Sequence, residues 1–152
     1  MESSRVHLRP FRHLDLDVLC QIDQGCFPPG IAYSREELRG FIGQPNSRTW
    51  VADKDHEICG FLVAEKQADN VGHIITIDVV DAHRRLGIGS RLIGAAEDWA
   101  RREGWLLIYL ETAENNRPAQ RFYENRGYTK YKKIPRYYSN QMDAWVMVKW
   151  LS

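Results

Sequence analysis

The chain has 152 residues, 43% of them apolar and 27% charged, which suits one domain with its own core and excludes a disordered chain. Twenty-one Lys and Arg nearly cancel 20 Asp and Glu, leaving +1, without the basic excess of a dedicated nucleic-acid binder. Three cysteines (Cys20, Cys26, Cys59) with no C-x-x-C pair argue against a disulfide framework or a zinc ribbon and for reduced thiols in a cytosol.

The opening Met-Glu-Ser-Ser-Arg has no apolar signal core, and no run of 18 apolar residues occurs, so a soluble, cytoplasmic protein with no membrane partner is expected. Residues 5–10 alternate and stop at Pro10, as a short strand does. From His13 to Cys26, Leu16, Leu19, Cys20, Ile22 and Cys26 recur at helical spacing. Ser34 opens a capping box with Glu37, starting a second helix that carries Leu38, Phe41 and Ile42. Strands are predicted over residues 48–53, 58–65 and 72–80, with a hairpin at 53–57 and a turn at Asp69–Asn70. Ile88, Leu92, Ala96 and Trp99 then share a helical face, closed by Gly104. Residues 105–110 read as a strand buried on both faces. Asn116 caps a helix with Pro118 in its first turn and Gly127 at its end, and strands at 128–134 and 144–151 finish the chain. The order predicts a single mixed α/β domain, residues 1–152.

The most informative stretch runs from Val79 to Ser90 and reads V-V-D-A-H-R-R-L-G-I-G-S, a strand passing through a glycine-punctuated loop into a helix. Helix-leading amides lack intrahelical partners and carry partial positive charge, and Arg84, Arg85 and Arg91 add to it, so the loop suits a phosphate. Gly87 and Gly89 serve equally for close helix–strand packing, and the residues alone leave both uses open. A P-loop would need a Gly-Lys-Ser/Thr ending that is missing here, and a dinucleotide fingerprint would need glycine where Leu92 stands.

The remaining pattern, R-x-x-G-x-G at Arg84, Gly87 and Gly89, resembles the pyrophosphate loop of the GNAT superfamily of acetyl-CoA-dependent N-acetyltransferases. Downstream, Tyr109 to Asn116, Ala119 and Phe122 to Tyr128 resemble the L-E-x-x-x-x-N…A…LY…GF signature of that family. Asp143-Ala144-Trp145-Val146-Met147 and Phe27-Pro28…Tyr33-Ser34 are similar to the D-A-x-x-M and F-P…W-S segments of protein N-terminal and ribosomal-protein-alanine acetyltransferases. The resemblance implies a splayed sheet of about seven strands with about four helices, and the cofactor in the splay. It puts acetyl-CoA along the backbone of Ile77, Asp78 and Val79, with Arg84, Arg85, Leu86, Gly87, Ile88, Gly89 and Ser90 around its pyrophosphate and Asn116 near the thioester. It further implies Glu111 as general base, Tyr123 as general acid, and Phe27, Tyr33, Tyr137 and Tyr138 beside the acceptor.

Chemistry agrees with these roles. An amine attacks a thioester only when neutral, so a carboxylate that takes the ammonium proton helps, as does a phenol that protonates the departing thiolate. No metal is expected, because His7, His13, His56, His73 and His83 are scattered, although His73 or Asp78 suits an auxiliary base. Departures from the family pattern are Ala113 where arginine is common, Asn115 for serine, and no proline between Val79 and His83. The expected acceptor is a protein N-terminus. A small amine is the alternative, and a silent acyl-CoA-binding regulator a third reading. A monomer or homodimer is expected. The run Lys130, Lys132, Lys133 and Arg136 reads as a solvated strand face.

Overall fold

The computed structural model describes residues 5–84 and 86–151, and Arg85 lies outside the described residues. Among these, seven strands and four α-helices follow in the order β1 (Val6–Pro10), α1 (Leu16–Cys26), α2 (Arg35–Ile42), β2 (Ser47–Lys54), β3 (Glu57–Gln67), β4 (Val71–Val79), α3 (Ile88–Arg102), β5 (Leu107–Ala113), α4 (Arg117–Asn125), β6 (Thr129–Ile134) and β7 (Ala144–Trp150). The strands form one sheet in the order β1-β2-β3-β4-β5-β7-β6. All neighbours are antiparallel except β4 and β5, which are joined through α3 and run parallel. No helix of the described residues is long and apolar enough to cross a membrane.

Local chemistry sets the element ends. The Ser34 hydroxyl accepts from the Glu37 amide at 3.1 Å, and the Glu37 carboxylate accepts from the Ser34 amide at 2.9 Å, so α2 starts where the capping box predicts. Asn116 caps α4 by accepting from the Ala119 amide at 3.3 Å. The β2–β3 hairpin turns on Asp55 and His56, both with positive φ, which matches the twist of a two-residue hairpin loop.

Strand alternation divides the core into two layers. Leu62, Ala64, Ile74, Ile108 and Leu110 meet α3 and α4 through Ile88, Leu92, Ala96 and Tyr123. Phe61, Val63 and Ile75 meet α1 and α2 through Leu16, Leu19 and Leu38. Each of the Leu, Ile, Val and Phe side chains among these contributes on the order of 1.5–3 kcal/mol by its burial. Glu97 of α3 is buried but satisfied, accepting from Arg126 at 3.1 Å, Tyr128 at 2.8 Å and Lys149 at 3.2 Å, and so ties α3 to the end of α4 and to β7.

The expected strand at 105–110 is shifted. Trp105 precedes β5 and packs its indole over Gly72, where a Cβ would fall 1.9 Å from two ring carbons. An apolar residue there reads as strand in the sequence, whereas it plugs the sheet where β4 and β5 first meet. Leu106 is exposed, so this segment is not buried on both faces.

Candidate active site

β4 and β5 keep only three register pairs, Val71–Leu107, Gly72–Ile108 and His73–Tyr109. Beyond them β4 stays with β3 as far as Val79–Gly60, and β5 stays with β7 as far as Ala113–Ala144. The sheet therefore splits, and residues 74–79 present to the split an edge that no strand of the described residues covers. Such an edge offers amides and carbonyls to an extended ligand. A bulge falls at Ile75, between the pairs Val63–Thr76 and Ala64–Ile74, and the Tyr33 hydroxyl reaches the Ile75 carbonyl at 3.4 Å.

At the wide end of the split β4 stops and α3 begins. α2 and α4 have side-chain caps, whereas α3 starts at Gly87 with no side-chain cap and no acidic residue in its first turn. The leading amides of α3, at residues 88–90, are thus available to an anion. The two glycines divide the two uses left open above. Gly87 has φ +77 and open space where a Cβ would project, while a Cβ on Gly89 would meet Phe122 of α4 at 3.3 Å. Gly87 leaves room and Gly89 permits packing. Ile88 is buried in the core, Leu86 is exposed and Ser90 is half-buried. The Arg84 guanidinium turns back to the Val79 carbonyl at 3.2 Å and to Asp81 at 3.3 Å, and Arg91 reaches the Val6 carbonyl of β1. Those two guanidiniums therefore bond to the protein itself, while the leading amides of α3 stay open. The Asn116 carbonyl is spent on its cap, which leaves the amide nitrogen of that side chain for a ligand.

At the narrow end lies Glu111, on the α1/α2 face of β5. Its Oε1 lies 2.7 Å from Nε2 of His73, with the two side chains 12% and 15% exposed. The His73 ring stacks on Tyr109 at 4.5 Å and 12°, and the Tyr109 hydroxyl donates to Gln67 at 2.8 Å. Tyr137 and Tyr138 pack edge-on at 4.9 Å, from the connection between β6 and β7. Burial and then the Glu111 charge push the Tyr137 phenol up to about 12. Burial, followed by Tyr137, also raises the phenols of Tyr33 and Tyr138, with the Glu111 charge contributing to each. Glu111, Tyr33, Tyr137 and Tyr138 thus share one cluster, while half-buried Phe27 caps the end of α1.

Tyr123 belongs to the opposite layer, where it is buried against Phe122 and Tyr128. Burial, then the Asp78 charge, raise its phenol, which keeps it protonated and able to donate.

The sequence offered no signal for Asp23. It is buried on α1 and accepts from the Tyr33 amide at 2.7 Å and the Thr76 hydroxyl at 3.5 Å. The single Thr76 proton is shared with Asp78, whose Oδ1 lies closer at 2.5 Å, and burial together with the Asp23 carboxylate pushes the Asp78 carboxyl well above the usual range. The Asp78 side chain thus faces α1 in a clamp under Tyr33. Tyr109 was likewise hidden, since its contact with His73 needs the register of two strands separated by a helix. Among the described residues, no group of three or more His, Cys, Asp or Glu is placed to hold a metal ion.

Comparison with known proteins agrees with this architecture. The acetyltransferase (GNAT) family matches residues 16–128. An uncharacterised N-acetyltransferase of Methanocaldococcus jannaschii is 32% identical over 143 residues, covering 93% of this chain and 90% of its own. N-alpha-acetyltransferase 30 of Schizosaccharomyces pombe is 30% identical over 143 residues, covering 91% of this chain and 94% of its own. The crystal structure of Ard1 from Thermoplasma volcanium superposes with a TM-score of 0.90 at 24% identity, covering 97% of this chain and 98% of that one. With a splayed sheet, an uncapped helix at its wide end and a family match across most of its length, the chain belongs to the GNAT family and is an acetyl-CoA-dependent acetyltransferase.

Proposed function

We propose that the chain, residues 1–152 as one domain, acetylates the α-amino terminus of a protein or peptide in the cytoplasm, as a monomer or homodimer. The observation that supports this reading is that Glu111, on the face of β5 opposite α3 and α4, is near enough to Tyr33, Tyr137 and Tyr138 for its charge to raise all three phenols. Aromatic walls with hydroxyl tips suit a peptide backbone and its first side chain. Relatives named N-alpha-acetyltransferase support the same acceptor.

The cosubstrate fits the other mouth. The open amides of residues 88–90 and the space beside Gly87 suit a pyrophosphate, and the uncovered edge of Ile77, Asp78 and Val79 suits an amide-bearing arm. Glu111 takes one proton from the acceptor ammonium, directly or through water. The neutral nitrogen attacks the thioester carbonyl, the C–S bond breaks as Tyr123 protonates the departing sulfur, and the second proton lost from the nitrogen returns through water to the phenol. The products are an amide and a free thiol, with no covalent enzyme intermediate.

The test is CoA release with N-terminal peptides, internal-lysine peptides and polyamines near pH 7.5. An α-amine titrates near ~8 and a lysine near ~10.4, so far more of the α-amine is free to react. N-terminal peptides should give the highest kcat/KM. Equal or better turnover of lysine peptides or polyamines would transfer the assignment to a small-amine acceptor.

A further inference from the structure

Glu111 and His73 come from the two strands that separate, and they meet just where the separation begins. His73 and Tyr109 are the last register pair, and Glu111 lies two residues further along β5, on the same face as Tyr109. Its side chain therefore reaches back across the split. The 2.7 Å contact is short, and both side chains are largely withdrawn from water, where a hydrogen bond to a charged oxygen is strongest. The imidazole is itself held, stacked on a ring whose hydroxyl is tied to Gln67 of β3. A glutamate has three rotatable side-chain bonds, so a carboxylate at a cleft mouth without such a contact spreads over several positions.

We infer that His73 is a positioning residue for Glu111. Its Nε2–H fixes Oε1 of the carboxylate and leaves Oε2 aimed at the acceptor ammonium. The inference rests on the reading of Glu111 as the base. In the step concerned, one proton leaves the ammonium and binds the free carboxylate oxygen, while the imidazole keeps its own proton throughout. The tautomer is set by this bond, since donation to a carboxylate requires hydrogen on Nε2. His73 thus contributes geometry rather than a proton.

Two substitutions separate the hydrogen bond from the ring. His73→Phe keeps a flat ring on Tyr109 and removes the donor, whereas His73→Gln removes the ring and keeps an N–H at nearly the same reach. Steady-state CoA release, with thermal unfolding as a check on folding, should show kcat lowered about 10–100-fold by His73→Phe, the usual scale for a misplaced catalytic group. His73→Gln should come back to within about threefold of wild type, and KM for acetyl-CoA should stay the same in both. In a Glu111→Gln background His73→Phe should cause no further loss, because the residue acts through the carboxylate. Wild-type rates in His73→Phe, equal losses in both variants, or losses that multiply in the double variant would each overturn the inference. A Glu111→Gln enzyme as fast as wild type would instead remove the base assignment itself.

Discussion

Tyr123→Phe deletes one oxygen and separates a catalytic phenol from a packing one. Nothing among the described residues bonds that hydroxyl, and the ring contacts, 5.4 Å to Phe122 and 5.9 Å to Tyr128, survive the change. Removing a hydroxyl that has no protein partner changes stability by about 0.5 kcal/mol or less. In a domain of this size that moves Tm by about 2 °C at most. A lost general acid lowers kcat by about 10²–10⁴-fold. At 1.36 kcal/mol per decade this is about 2.7–5.4 kcal/mol of transition-state stabilisation, several times the structural effect. Burial keeps the phenol protonated through the neutral range, so the loss should be nearly uniform from pH 6 to 9. The assays are thermal unfolding, acetyl-CoA binding by calorimetry and CoA release. An unchanged kcat in a folded variant would refute the role. A Tm drop of about 5 °C or more would mark the hydroxyl as structural instead.

Gly87→Glu should abolish acetyl-CoA binding by placing a carboxylate at the uncapped start of α3, and calorimetry reads this directly. Because Gly87 sits at φ +77, the variant should also lose about 1–2 kcal/mol of stability, and undiminished affinity would remove the anion site from this loop. Asp78→Asn should flatten the fall of Tm with rising pH. The Asp78 carboxyl is raised by burial and by Asp23, so the folded chain binds more protons above the ordinary Asp value of ~3.9. That contribution is fully present in acid and is lost as pH rises through the folded value. The variant should accordingly be the more stable form at pH 8, and parallel Tm–pH curves for the two proteins would refute this.

Much of the architecture can be read from the residues, because caps, turns and hydrophobic period are local signals. Ser34 with Glu37, Asn116, Gly104 and Gly127 mark helix ends where the structure has them, and the hairpin at 53–57 forms as expected. Local signals mislead at Trp105. An apolar run reads as strand, yet that indole fills the space above a glycine more than thirty residues earlier in the chain. The site divides along the same line. Gly87, Glu111 and Tyr123 stand out through the resemblance of their segments to the GNAT pattern, whereas the partners of Glu111 depend on register across a parallel pair, which a motif does not encode. The Asp23–Thr76–Asp78 clamp was hidden for the same reason, since its residues come from a helix and a strand with most of the α1/α2 layer between them.

The position of Trp105 also has a consequence for how the molecule assembles. β1 to β4 pair largely with their sequence neighbours, but β5 reaches β4 only after the 15-residue helix α3, and through three rungs. The early hairpins close short loops, whereas the union of the two half-sheets must wait for a longer one. Trp105 stands at that union, 4.7 Å from Trp99 on α3, which in turn lies 5.5 Å from Trp50 on β2. Three indoles drawn from β2, α3 and the start of β5 come together only when the helix has docked and both halves have met. Of the five tryptophans, these three are therefore built-in reporters of the joining of the halves, whereas Trp145 and Trp150 stand on β7 and report the second half itself.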